Sequence, residues 1–108
     1  IIVEPHPLGG LDQAAANIKT VRGLLSSNWK RKDRSFTLKV TIPANSRAIV
    51  RIPKLGMKKI KVTESKNLIW QDGGYLAGSE GIIEGRESGK SLSFEVGSGT
   101  YTFHLLGQ

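Results

Sequence analysis

Phe36-Thr37-Leu38-Lys39-Val40-Thr41-Ile42-Pro43-Ala44-Asn45-Ser46-Arg47-Ala48-Ile49-Val50-Arg51-Ile52-Pro53 is the stretch on which the fold reading turns. Phe36, Leu38, Val40 and Ile42 occupy every second position with Thr37, Lys39 and Thr41 between them, the period of a strand with one face in a core and one in water. After Pro43-Ala44-Asn45-Ser46 the alternation resumes, with Ala48, Val50 and Ile52 facing one way and Arg47 and Arg51 the other. Proline pre-sets φ and asparagine tolerates a left-handed backbone, so the break reads as a turn and the whole stretch as a hairpin.

The same pattern recurs outward from this centre. Ile60 to Glu64 and Leu68 to Trp70 flank Ser65-Lys66-Asn67, while Ile82 to Glu87 and Lys90 to Val96 flank Ser88-Gly89; both pairs read as hairpins. Tyr101, Phe103 and Leu105 share a face, and the spacing predicts that this last strand pairs with Leu92, Phe94 and Val96 across Gly97-Ser98-Gly99. An early strand is expected from Ile18 to Trp29, with Val21, Leu25 and Trp29 on one side. Leu11 to Ile18 is the single helical hint, because Leu11, Ala15 and Ile18 would share a helix face; it amounts to one short helical turn at most. About eight short strands separated by turn residues predict an all-β fold, an antiparallel β-sandwich. Glu4 to Gly10 reads as a connector, so residues 1–10 are assigned as a link from a preceding domain and 11–108 as the sandwich. Gln71 to Gly81 is expected to be the longest loop.

Composition narrows the chemistry. With 108 residues, 38% hydrophobic content and 13 glycines, the chain has material for one turn-rich domain. The absence of cysteine excludes disulfides, iron–sulfur clusters and cysteine-based zinc sites. No apolar run approaches the ~20 residues of a membrane span, which argues against a membrane partner. Ile1-Ile2-Val3 is followed at once by Glu4-Pro5-His6-Pro7, which is not a signal peptide; the compartment stays open. The chain starts at Ile1 rather than methionine, as expected of a processed or excised piece.

The net charge of +7 and pI near 10.0 raise nucleic acid as a partner. Lys30, Arg31, Lys32 and Arg34 crowd one turn, and Arg47, Arg51, Lys54, Lys58, Lys59 and Lys61 form a second run. Yet Lys39, Arg47, Arg51 and Lys61 fall at alternate positions beside apolar residues, so a solvated sheet face is the primary reading. Contact with a more acidic neighbouring domain comes next. Nucleic acid comes last and is not expected, because no interleaved aromatic motif supports it.

No constellation for catalysis emerges. Hydrolysis of glycosides generally uses two carboxyl groups about 5 to 9 Å apart, and the acids here are placed otherwise: Asp33 and Asp72 in turns, Glu84, Glu87 and Glu95 on the wet sides of strands, Asp12 as a cap. His6 and His104 lie far apart and suggest no metal site, and no cofactor is implied. Gly97-Ser98-Gly99 lacks the spacing of a nucleophile elbow and is followed by a strand. Gly73-Gly74 and Gly78 to Gly81 lack the lysine and helix of a phosphate loop. One local cluster has the composition of a sugar platform: Trp70 and Tyr75, for stacking, beside Gln71 and Asp72, for hydroxyls. Trp70 as an ordinary core residue is the reading weighed against it.

Three features together resemble the C-terminal domain of multidomain bacterial α-L-rhamnosidases: Thr20-x-x-Gly23-x-x-x-Ser27-x-Trp29-Lys30 followed by Phe36 to Asn45; Ala48-x-Val50-x-Ile52-Pro53; and Gly97-Ser98-Gly99-x-Tyr101-x-Phe103. Val62-x-Glu64-Ser65 fits the same pattern. The resemblance implies an antiparallel sandwich following an (α/α)6 barrel that carries the catalytic carboxylates for inverting hydrolysis of terminal α-L-rhamnose. None of those residues maps here, so the chain itself is expected to be a non-catalytic accessory domain whose partner is the preceding barrel. The alternative function is a carbohydrate-binding module using Trp70 and Tyr75.

Overall fold

A computed structural model describes residues 2–5 and 13–108. Every regular element among them is a strand: β1 (Ile2–Val3), β2 (Gln13–Thr20), β3 (Gly23–Lys32), β4 (Ser35–Ile42), β5 (Ala48–Pro53), β6 (Lys61–Glu64), β7 (Asn67–Gln71), β8 (Gly74–Tyr75), β9 (Ile82–Ser88), β10 (Ser91–Val96) and β11 (Gly99–Leu106). They form a four-stranded sheet in the order β1-β5-β10-β9 and a seven-stranded sheet in the order β2-β3-β4-β11-β6-β7-β8. The sandwich expected from the alternation is therefore present. All pairings are antiparallel except β1 with β5, where Ile2 and Val3 lie parallel to Ile49 and Val50.

The inward positions carry the core. Phe36, Leu38, Val40 and Ile42 of β4 face Ala48, Val50 and Ile52 of β5 and Leu92, Phe94 and Val96 of β10, all buried. Burying one such side chain contributes about 1.5–3 kcal/mol. Phe94 joins the two sheets. Its ring stacks on Phe103 of the opposite sheet at 5.7 Å and 22°, and receives Trp70 edge-on at 6.3 Å. Opposite it in β9 stands Gly85, where an added Cβ would lie 2.7 Å from Tyr75 and 2.9 Å from Phe94.

Five expectations are corrected by this arrangement. Gln71 to Gly81 is not one loop, because Gln71 ends β7 and Gly74–Tyr75 forms β8 against it across a tight turn. β4 and β5 do not form a hairpin, because β4 pairs with β3 and β11 while β5 pairs with β1 and β10; Pro43 to Arg47 carries the chain from one sheet to the other. Likewise β11 pairs with β4 and β6 rather than with β10, and the Gly97-Ser98 turn is a second crossing. A hairpin and a sandwich corner present the same two-residue period, since in both the apolar faces end up against one core. The helical hint at Leu11 to Ile18 is also overturned: Gln13 to Thr20 is a strand in register with β3, and Leu11 lies outside the described residues. Alanine favours helix, but a run this short cannot sustain one against eight residues of ladder pairing. Finally, the early strand does not run unbroken from Ile18 to Trp29. Val21 sits at a turn and is fully exposed, with Thr20 Oγ1 donating to Gly23 O at 2.8 Å, while Leu25 and Trp29 are buried as expected.

The β6–β7 and β9–β10 hairpins occur where the alternation places them. Of the connector assigned to residues 1–10, Val3 is buried in the four-stranded sheet, and residues 6–10 lie outside the described residues.

If Phe94 is the joint between sheets, Gly85→Ala overfills it and is expected to lower stability by about 1–3 kcal/mol. A Phe94→Leu/Phe103→Leu double-mutant cycle in urea is expected to give a coupling of about 0.5–1.5 kcal/mol. Additive effects would show that the two rings do not interact.

Candidate functional site

The cluster Trp70, Gln71, Asp72 and Tyr75 is brought together by the β7–β8 hairpin. Asp72 and Gly73 form its two-residue turn, both at positive φ (54° and 78°), and Trp70 stands directly opposite Tyr75. Aspartate followed by glycine is the pair such a turn favours. The hairpin turns both rings inward. Trp70 is only 4% exposed and its edge abuts Phe94; Tyr75 tilts onto the same Phe94 ring at 6.5 Å, with its hydroxyl donating to Ile82 O at 3.3 Å. Stacking a sugar needs an open ring face, and the Trp70 face is not open. Asp72 is exposed and Gln71 and Tyr75 are half-buried.

Beside this hairpin runs a shallow cleft lined by Trp70, Asp72 and Glu87 together with Lys54 and Lys58. Two carboxylates in one cleft invite comparison with a glycosidase. Glu87 is held by Lys54, Nζ to Oε2 2.6 Å, and both carboxylate-bearing residues are exposed. A general acid for this chemistry is a carboxyl kept protonated by burial or a like charge close by, and neither residue has that environment.

A second polar site closes the end of the sandwich where β10 passes into β11. Tyr101, 4% exposed, donates its hydroxyl hydrogen to Gly97 O at 3.0 Å and lies near Ser98 O and Gly81 O. This is the geometry of a tyrosine corner, a phenol tying down the backbone a few residues upstream. Gly81, at φ 85°, leaves the space the phenol fills, and its carbonyl accepts from Gly97 N at 2.9 Å. Glu64, at a core-facing position of β6, is also buried; its Oε2 accepts from Thr102 N at 3.2 Å and from Ser65 Oγ at 2.5 Å. The sequence did contain a signal for it, because Val62-x-Glu64 puts the carboxylate on the same side as a core valine. Burial, then the charges of Glu64 and Glu80, push the Tyr101 phenol above its ordinary value of 10.0.

His104 projects from the outer face of the seven-stranded sheet, as its alternation predicts, and its Nδ1 is 2.8 Å from Thr37 Oγ1. His6 lies outside the described residues. Among the described residues no three acidic, histidine or cysteine side chains gather as a metal site would require.

These features define a class: a β-sandwich whose polar groups at both sites hold backbone and side chains in place. The family model for the bacterial α-L-rhamnosidase C-terminal domain matches residues 1–67, and the chain belongs to that family. An α-L-rhamnosidase of Formosa agariphila is 33% identical over 73 residues, 63% of this chain and 8% of that protein. One from Streptomyces avermitilis is 25% identical over 103 residues, 95% of this chain and again 8% of the relative. The solved α-L-rhamnosidase from Dictyoglumus thermophilum superposes with a TM-score of 0.80 at 33% identity, covering 97% of this chain and 11% of that one. The chain thus spans roughly a tenth of these proteins, and it matches them as a domain.

Tyr101 gives this site a measurable signature. Its folded state holds the phenolic proton more tightly than the unfolded state, so its contribution to stability is complete below about pH 10 and is lost as pH rises through the raised folded value. Tyr101→Phe is expected to cost about 0.5–1.5 kcal/mol at neutral pH and to show a shallower loss of stability above about pH 10. Parallel alkaline limbs for the two proteins in denaturant titrations would rule Tyr101 out as the responsible group.

Proposed function

We propose that this chain is a non-catalytic accessory domain of an α-L-rhamnosidase, and that it stabilises the catalytic helical barrel that the family resemblance implies. The activity proposed for the whole polypeptide is inverting hydrolysis of terminal α-L-rhamnose from glycosides or polysaccharides. The family match carries this reading, since the relatives are α-L-rhamnosidases of which a domain like this one occupies 8%. The core supports it: the aromatic rings are engaged with one another or buried, and the buried carboxylate, Glu64, is bonded to Thr102 N and Ser65 Oγ.

A contact surface for the neighbour is available on the outer side of the four-stranded sheet. Ile2 and Ile49 lie side by side there, 58% and 37% exposed, with Ile83 (50%) on the far strand β9. Covering apolar groups of this size stabilises an interdomain contact at about 25 cal/mol per Å² removed from water. A domain fixed in this way would act on catalysis by holding barrel loops in position, where small displacements are costly.

A sugar-binding module built on Trp70 and Tyr75 has weaker support, because both rings are turned onto Phe94. Titration with rhamnose is expected to give no binding at millimolar sugar.

The chain alone is expected to release no 4-nitrophenol from 4-nitrophenyl α-L-rhamnoside above buffer; turnover would overturn the non-catalytic reading. In the rhamnosidase carrying the domain, deleting residues 13–108 is expected to lower the melting temperature and shorten the half-life of activity. Full retention of both would overturn the stabilising role.

A further inference from the structure

The positive charge of this protein is segregated by sheet. On the outer face of the seven-stranded sheet the strand residues include Lys19 of β2, Lys30 and Lys32 of β3, Lys39 of β4 and Lys61 of β6, all exposed, and none of the strand residues on this face is acidic. No ion pair among the described residues engages these lysines. The outer face of the four-stranded sheet is different. There Arg51 lies 4.0 Å from Glu4 and Arg86 3.3 Å from Glu84, with Glu95 directly across from Glu84. Much of the net charge of +7 therefore resides on one broad sheet face.

The neighbours of the lysines are uncharged and mostly polar: the register sets Gln13 beside Lys30, Asn28 beside Lys39 and Ser35 beside Lys32, with Leu24 beside Lys19 and Leu106 beside Lys61. Thr37, Thr41, Thr63, Thr100 and Thr102 project from the same face, and the register sets Thr102 beside Lys39 and Lys30 beside Thr37. Neighbouring strands are about 4.8 Å apart, so Lys39 with Thr102, and Lys30 with Thr37, stand at sugar-sized spacing.

We propose that this face binds a linear acidic polysaccharide, a glycan bearing carboxylates along its length. Its lysines neutralise the carboxylates and its threonines exchange hydrogen bonds with ring hydroxyls. A protein partner fits less well, because interface cores are apolar and depleted in lysine, and the leucines here, Leu24, Leu68 and Leu106, sit apart from one another on different strands. Single-stranded nucleic acid is bound on aromatic platforms, and every Phe, Tyr and Trp ring of β3, β4 and β11 points into the core, which leaves the His104 imidazole as the single aromatic ring these strands present on this face. This inference stands on the charge distribution alone and is independent of the role proposed above.

Affinity electrophoresis and calorimetry of the whole 108-residue chain with polygalacturonate provide the test, with dextran, poly-L-glutamate and oligo(dT) as the other arms. Polygalacturonate is expected to bind and to weaken as salt is raised, and dextran is expected not to bind. Lys30→Gln/Lys39→Gln should weaken binding about five- to tenfold, and Arg86→Gln on the opposite sheet should leave it unchanged. Thr102→Ala, which keeps the charge, should weaken polygalacturonate but not poly-L-glutamate; melting curves establish that each variant is folded. The proposal is overturned by absence of polygalacturonate binding, by poly-L-glutamate or oligo(dT) binding as tightly, or by Arg86→Gln mattering as much as the lysine pair.

Discussion

The stacking of Phe94 on Phe103 is the contact on which the rest of the sandwich depends. One ring belongs to β10 of the four-stranded sheet and the other to β11 of the seven-stranded sheet, so the 5.7 Å stack joins two layers that share no ladder hydrogen bonds at that point. Trp70, Tyr75 and Tyr101 complete the aromatic group, each touching Phe94 or Phe103. Gly85 has no side chain for a reason visible here: a Cβ would enter the space these rings occupy. The short connection between the strands imposes the same geometry from the backbone side. Gly97 and Ser98 carry the chain across, and the Tyr101 hydroxyl holds the crossing in place.

That constraint also sets how the polar and aromatic groups near the joint are engaged. Trp70 and Tyr75 pack against Phe94 at the inter-layer joint, and the buried carboxylate, Glu64, accepts from a backbone N–H and a serine hydroxyl. With these groups engaged internally, the outer faces of the two sheets are what the domain presents to its surroundings. Those surfaces differ: one outer face carries mixed, paired charges and apolar side chains near its edges, and the other carries lysines and threonines without acids among its strand residues.

Alternation with period two named the core correctly, since Phe36, Leu38, Val40, Ile42, Val50, Ile52, Leu92, Phe94, Val96, Phe103 and Leu105 are all buried. It named the β6–β7 and β9–β10 hairpins because their turns connect neighbours in one sheet. It misjudged β4 with β5 and β10 with β11, because a chain folding back beside itself and a chain crossing to the facing layer bury the same alternate residues. Glu64 was legible as a position facing inward with Val62, but not as a buried anchor, because its partners Thr102 N and Ser65 Oγ are set by pairing of β6 with β11.

The order of residues by itself determined that this protein is made of half-buried strands, which side chains enter its core, and, through the spacing of Gly23 to Asn45 and Gly97 to Phe103, which family it resembles. Only the tertiary structure decided which sheet each strand joins, that the Trp70 ring is buried against Phe94, and that the positive charge collects on one face. The physical reason is the range of the forces involved: alternation is a local response to water on one side of a strand, whereas sheet membership and surface charge depend on pairings between residues distant in the chain.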